Sequence, residues 1–249
     1  MDKIFTKNIE HESAVKHVTG KAIYTDDISE PKNLLHAVIG YSNCSKGVIK
    51  KIDYKDVLSS EGVVDIITEK DIEGINDVGP IFKGDKIFTS KNIEYYGQPI
   101  FAVIAKTNNL AKKAALKVKI DLKISKPIVS IEEALKKKSF VLKPKHLTRG
   151  NIKDGFKKSD NILKGKLYSG GQDHFYLEGQ IAMTIPQEDN NFLVYSSTQH
   201  PSETQQIIGK VLKQNYNSIH VIVRRIGGGF GGKETCLLYT SDAADESRG

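Results

Sequence analysis

The stretch VIVRRIGGGFGGKET, residues 221–235, decides how this chain is read. A β-branched run suited to a strand, His220 to Arg225, empties into a loop of five glycines and one Phe, then Lys233 and Glu234. Glycines at this density let the backbone approach a ligand closely and take up positive φ without steric cost. Three kinds of site use that freedom. Gly227, Gly232 and Lys233 have the spacing of a phosphate-wrapping P-loop, although Glu234 stands where Ser or Thr would hold magnesium. Gly227, Gly229 and Gly232 also spell the dinucleotide pattern G-x-G-x-x-G, which asks for a following helix and an acidic residue about 20 positions on. The third is a cofactor-apposed loop, whose N–H groups meet an oxyanion or metal-oxo group while one carboxylate serves the substrate; Glu234 fits only this one. A glycine-rich turn with no ligand is a poor account of five glycines, because each loses backbone entropy on ordering.

The 249 residues, 39% of them hydrophobic, suffice for one large or two medium domains with real cores. No apolar run approaches the ~20 residues of a membrane span, and the polar start MDKIFTKNIEHESA lacks a signal-peptide core, which predicts a cytoplasmic protein with no membrane role. Cys44 and Cys236 are the only cysteines, too few for a disulfide framework, a zinc site or an iron–sulfur centre, so any metal must arrive inside an organic cofactor. The net charge of +7 is spread along the chain, with a short run at Lys136 to Lys138 and no interleaved aromatics, so it reads as solvated surface or a face for an acidic partner rather than for nucleic acid.

Along the chain an α+β pattern is predicted. LLHAVIGY, VIKKID and VVDIIT read as strands, YKDVLSS as a short helix and QPIFAVIA as a buried strand. NNLAKKAALKV reads as a helix capped by Thr107 or Asn108, and SIEEALKK as a helix opened by a Ser130–Glu133 capping box. KKKSFVLKPKHLTRGNIKDGF lacks periodicity and marks a connection. Beyond it come two strand-like runs around SGGQDHFYLE, a strand NNFLVYSSTQ, a helix with Pro201 at its start, and the strand that feeds the glycine loop. Within GGQDHFYLE, His174 and Glu178 are assigned to structural hydrogen bonding. Gln172, whose amide both donates and accepts, follows two glycines and is a second site candidate.

GGQDHFYLE, followed some fifty positions later by GGGFGGKE, resembles the molybdenum-cofactor subunit of the xanthine dehydrogenases, within the molybdenum hydroxylase family that also holds aldehyde oxidases and carbon monoxide dehydrogenases. HESAVKHVTGKAIYTDDI and EYYGQPIFAVIA resemble the same subunit's amino-terminal part. The resemblance covers nearly everything up to Thr235, and makes the fingerprint spacing a coincidence of composition. It implies an α+β chain: a lead-in over residues 1–19, an α/β hammerhead domain over 20–126, a linker over 127–150, and over 151–235 the truncated start of a molybdopterin-binding domain. It implies that Gln172 lies beside the molybdenum's oxo group. Phe230 and Gly231 would lay their backbone against the metal centre, with Gly228 and Gly229 giving clearance. Glu234 would recognise a purine, where aldehyde oxidases carry an apolar residue.

The implied reaction is hydroxylation of hypoxanthine and xanthine toward urate in purine catabolism, with molybdenum–molybdopterin as cofactor and Gln172 and Glu234 as the catalytic residues. Electrons would leave through 2Fe-2S clusters and FAD to NAD. With no iron–sulfur motif or flavin domain ahead of the hammerhead, those centres are expected on partner subunits of a hetero-oligomer. The family's base glutamate and substrate arginine have no counterpart here, so this stretch by itself is expected to be inactive. An aldehyde oxidase-like hydroxylase is the alternative, and a P-loop or Rossmann nucleotide-binding protein a more distant one. Finally, CLLYTSDAADESRG, residues 236–249, lacks the Lys, Ile and Asn that dominate the preceding chain and looks like translated sequencing adapter; it is expected to be non-native, and Cys236 is given no role.

Overall fold

Residues 10–79 and 83–234 are described by the computed structural model; the segment read as adapter, with Cys236, lies outside them. After a short helix α1 (Ala14–Val18) come β1 (His36–Tyr41), β2 (Gly47–Asp53), α2 (Lys55–Leu58), β3 (Val63–Ile67), β4 (Asn92–Ile93), β5 (Pro99–Ala105), α3 (Asn108–Ala115) and β6 (Lys119–Ile124). The run PIFAVIA has no polar side chain, and a strand of that kind needs cover on both faces. It accordingly forms β5, buried at every position but Ile104, as the centre of a sheet ordered β1-β5-β3 with both neighbours antiparallel. A second sheet is ordered β4-β2-β6.

Phe101 on β5 is 0% exposed, and its partner in register is Gly40, where any Cβ would run into the Phe101 ring. Full burial of such a ring is worth about 1.5–3 kcal/mol. Tyr54 meets it edge-on at 5.2 Å, and burial, aided by the negative charge of Asp71, pushes the Tyr54 hydroxyl up to about 12. Thr107 rather than Asn108 caps α3, accepting the Leu110 N–H at 3.3 Å, and the small Ala111 and Ala114 let that helix pack across β1 and β5.

The chain divides into two units, one of residues 1–125 with 174–249, the other Lys126–Asp173. The smaller unit carries α4 (Ile131–Lys136) and α5 (Ile152–Lys158). Ser130 accepts the Glu133 N–H at 3.2 Å, but the Glu133 carboxylate turns to Lys137 at 2.7 Å, so only half of the expected capping box forms. Helix α5 falls inside the stretch read as a connection; Asn151 caps it by accepting from the Lys153 and Asp154 N–H groups. The run NILKGKLY, expected as a strand, is not one: Leu163 is 99% and Leu167 93% exposed, and no described strand pairs with it. Alternation alone makes no strand without an edge to bond to.

In the larger unit β7 (Ala182–Pro186) pairs antiparallel with β8 (Phe192–Ser196), and α6 (Pro201–Leu212) carries the chain over to β9 (Ile219–Ile222), parallel to β8. Pro201 stands in the first turn of α6, where its missing N–H costs nothing, and the His200 ring accepts the Glu203 N–H at 3.1 Å. The loop that follows β3 meets the end of α6 directly: Gly74 and Ile75 donate their N–H groups to the carbonyls of Val211 and Lys210, at 2.8 and 3.1 Å. A Cβ on Gly74 would strike those carbonyls.

Candidate functional site

Because β8 and β9 are parallel, their carboxyl ends emerge side by side, the place where open α/β sheets hold ligands. From β8 emerge Ser197, Thr198 and Gln199; from β9 emerges the glycine loop. Gln199 supports that loop from beneath. Its Oε1 accepts the N–H groups of Gly231 at 2.9 Å and Lys233 at 3.3 Å, and its own N–H donates to the Lys233 carbonyl at 2.8 Å. The Thr198 hydroxyl donates to the same carbonyl at 3.2 Å.

The second support is Tyr176, Glu178 and Gln180, alternate residues of the segment entering β7, and alternation places such residues on one side of an extended chain. Glu178 Oε2 accepts the Gly227 N–H at 2.7 Å and the Lys233 ammonium at 3.0 Å. Lys233 is 0% exposed, with its Nζ 4.8 Å from the Tyr176 ring centroid, and the Glu178 side chain is 10% exposed. Gln180 donates to the Tyr176 hydroxyl at 2.7 Å and to the Gly232 carbonyl at 3.2 Å. Removing one member of a buried ion pair costs about 3–5 kcal/mol, since the other charge is left unpaired. Glu178, expected in a structural network, is therefore its hub.

The glycines prove to have inward reasons as well as conformational ones. A Cβ on Gly227 would collide with Glu178, on Gly229 with the Gln199 amide, and on Gly232 with Tyr176 at 2.7 Å and His174 at 3.1 Å. Gly228 and Gly231 have φ of +96° and +90°, a region L side chains avoid. At Gly229 the missing Cβ makes room for Gln199. His174 lies next to the loop at Gly232 and is exposed, without a hydrogen bond in the network.

What faces outward is a short crest of Phe230, Gly231 and Glu234, with Gly228 half-buried beside it and Gly229 buried. The N–H groups of Gly227, Gly231, Gly232, Lys233 and Glu234 are all donated within the protein, whereas those of Gly228, Gly229 and Phe230 donate to no acceptor among the described residues. Successive unpaired N–H groups form a concavity suited to anionic oxygens. Phe230 sits at φ +48° with its side chain 75% exposed, and Glu234, the next residue after the buried lysine, is exposed. Loop positions Gly228 to Glu234 are thus brought together, with the Gly231 N–H committed to Gln199. Gln172 is exposed and belongs to the smaller unit, in irregular chain rather than a strand. A cleft of about 490 Å³ between Tyr24, Asp27, Tyr195 and Arg225 includes none of these residues.

Gln199 and Tyr176 are not singled out by the sequence, and Lys233 enters there only through its P-loop spacing. The available signal was SSTQ at the end of β8: past the strand end Ser197 and Thr198 stay buried, their hydroxyls donating to the Gly179 and Lys233 carbonyls, as buried polar groups generally require. Among the described residues there is no group of three metal-ligating side chains and no helix long and apolar enough to cross a membrane.

Comparison with known proteins agrees with this geometry. The profile of the aldehyde oxidase and xanthine dehydrogenase a/b hammerhead domain matches residues 19–126. That of the molybdopterin cofactor-binding domain matches 133–244, running past Thr235 into the segment of altered composition. Xanthine dehydrogenase of Dictyostelium discoideum is 38% identical over 239 residues, which are 96% of this chain and 18% of that protein. Aldehyde oxidase 1 of Bos taurus is 39% identical over 230 residues, 91% of this chain and 17% of its own. The chain therefore spans less than a fifth of these curated relatives. Among solved structures, the aldehyde oxidoreductase of Desulfovibrio gigas superposes with a TM-score of 0.78 at 26% identity, over 89% of this chain and 27% of that one. With a hammerhead domain and a glycine loop joined in this order, the chain belongs to the aldehyde oxidase and xanthine dehydrogenase family of molybdenum hydroxylases.

Proposed function

We propose that this chain forms one wall of the molybdenum–molybdopterin site of a xanthine dehydrogenase-type enzyme that hydroxylates a purine. The observation that carries the proposal is the exposed Glu234 at the end of a loop whose surface N–H groups, at Gly228 and Phe230, donate to no acceptor among the described residues. Those donors suit the oxygen-rich anionic cofactor; the Gln172 amide is proposed as a further contact to it. When bound, the cofactor would supply the oxygen-transfer and two-electron chemistry that side chains cannot.

The chain's own part is positioning and charge. Glu234 would share a proton with a ring nitrogen of the purine as negative charge builds there, which favours attack at the adjacent carbon. The exposed Phe230 ring would offer an apolar face beside it. Electrons are proposed to pass to iron–sulfur and FAD centres on a partner subunit, and from there to NAD. Because so much of the family's length lies outside this chain, turnover is proposed to need the complete hetero-oligomer.

A second reading is favoured by the likeness to aldehyde oxidase 1, which is as close as that to xanthine dehydrogenase. Substitution at Glu234 separates the two. In the complete enzyme Glu234→Ala is expected to lower purine kcat/KM by about 10²-fold or more, the scale of one proton-transfer group, with molybdenum content retained. Glu234→Val should move preference toward aldehydes. Parallel loss of molybdenum and turnover would sink the substrate role, unchanged purine preference would mean that another residue sets specificity, and a wild-type enzyme that prefers aldehydes to purines would support the aldehyde alternative.

A further inference from the structure

Both ends of the glycine loop are tied to one carboxylate oxygen. Glu178 Oε2 holds the Gly227 N–H at 2.7 Å and the Lys233 ammonium at 3.0 Å, while the Glu178 N–H returns to the Gly227 carbonyl at 3.3 Å. The other oxygen, Oε1, is buried and accepts nothing among the described residues. A fully buried lysine is costly to desolvate, and a hydrophobic side chain of similar size would cover Tyr176 at least as well. What the charge adds is direction. Lys233 is drawn inward to Glu178 across the Tyr176 ring, and Glu234, bonded to it through one planar peptide, is left exposed, its N–H donated to the Gly231 carbonyl at 3.4 Å.

Resting on the substrate role proposed above for Glu234, we propose that the Lys233–Glu178 ion pair is a positioning device, a clasp that fixes where Glu234 and the crest stand, so that specificity depends on a charge pair that touches neither substrate nor cofactor. Tyr176 and Gln180 brace the clasp from below, and Gln199 holds the strand of loop between its two ends. A clasp of this kind predicts two separable effects when it is opened: freer loop amides, and a selective loss of purine over aldehyde turnover. A purely structural pair predicts loss of folded enzyme with no change in selectivity.

The test uses the complete enzyme with Lys233→Met, Lys233→Arg, Glu178→Gln and, as control, Glu234→Ala. Hydrogen exchange of the 226–234 peptide, molybdenum content, and kcat/KM for xanthine and for benzaldehyde are measured on each. In Lys233→Met the loop amides should exchange about 10-fold faster or more while β5 is unchanged, as expected for a local opening. Molybdenum content should be kept, and the xanthine-to-benzaldehyde ratio should fall about 10-fold or more, in line with what sub-ångström to 1 Å misplacement does to a reacting group. Lys233→Arg should restore both. Unchanged loop exchange, or equal loss toward both substrates, overturns the clasp. Should Glu234→Ala itself leave the ratio unchanged, the specificity role of Glu234 fails, and loop exchange still judges the pair. If Lys233→Met does not accumulate, Glu178→Gln is set against Lys233→Arg: altered exchange and ratio in the first alone supports the clasp, and identical behaviour of the two refutes it.

Discussion

Gly229→Ala isolates packing beneath the loop from backbone conformation, because Gly229 does not have a positive φ and alanine is tolerated there on dihedral grounds. The added Cβ lands on the Gln199 amide, against Oε1, Cδ and Cγ together. That amide must leave, and with it goes the acceptor for the N–H groups of Gly231 and Lys233. Lys233 is buried, so its N–H has no water to turn to, at a cost of about 1–3 kcal/mol. Overpacking adds about 1–3 kcal/mol. The smaller unfolded-state entropy of alanine returns only about 0.4–1 kcal/mol. The expected destabilisation is about 2–5 kcal/mol, read by urea unfolding of the 249-residue chain followed by far-UV circular dichroism. Gln199→Ala loses the same two hydrogen bonds without a collision. In the double variant the new methyl has room, so its cost should approach that of Gln199→Ala alone, giving a coupling close to the whole Gly229→Ala cost, about 2–5 kcal/mol and well beyond the ~0.5 kcal/mol scatter of independent sites. Additive costs would refute the packing argument.

Three other outcomes are expected. Phe101→Ala should cost about 3–5 kcal/mol in the same unfolding assay, since the ring is fully enclosed between β1 and the Tyr54 edge; a cost under about 1 kcal/mol would mean that the core is not centred on β5. The Tyr54 hydroxyl is held neutral in the fold, raised from 10.0 to about 12, so its contribution is complete below pH 10 and lost as pH rises toward 12. Wild type should therefore lose stability relative to Tyr54→Phe across that window, by at most about 2 kcal/mol after solvent screening, and a constant difference between the two would count against the burial of that hydroxyl. Gln172→Ala in the complete enzyme should slow reduction by substrate with the fold and molybdenum content kept; wild-type reduction kinetics would remove Gln172 from the site.

Short-range patterns in this chain were enough for most of its elements. PIFAVIA is apolar throughout and must be central; Thr107 and Pro201 announce helix starts; the two motifs GGQDHFYLE and GGGFGGKE point to the family. Each of these depends on neighbours within a few positions, where covalent spacing alone decides which groups can meet. NILKGKLY failed for the complementary reason, since a strand needs a partner edge that no local pattern supplies, and α5 was missed because its Asn151 cap lacks an apolar stripe behind it. The support of the site was equally beyond reach. Lys233 follows the glycines as if solvated, and only the fold brings Glu178, 55 residues earlier, under it; Gln199, 32 residues before Gly231, enters the hollow left by Gly229 only because β8 and β9 run parallel. A charged side chain looks alike in sequence whether it faces water or a buried partner, and the difference is made by burial, which is a property of the packed chain.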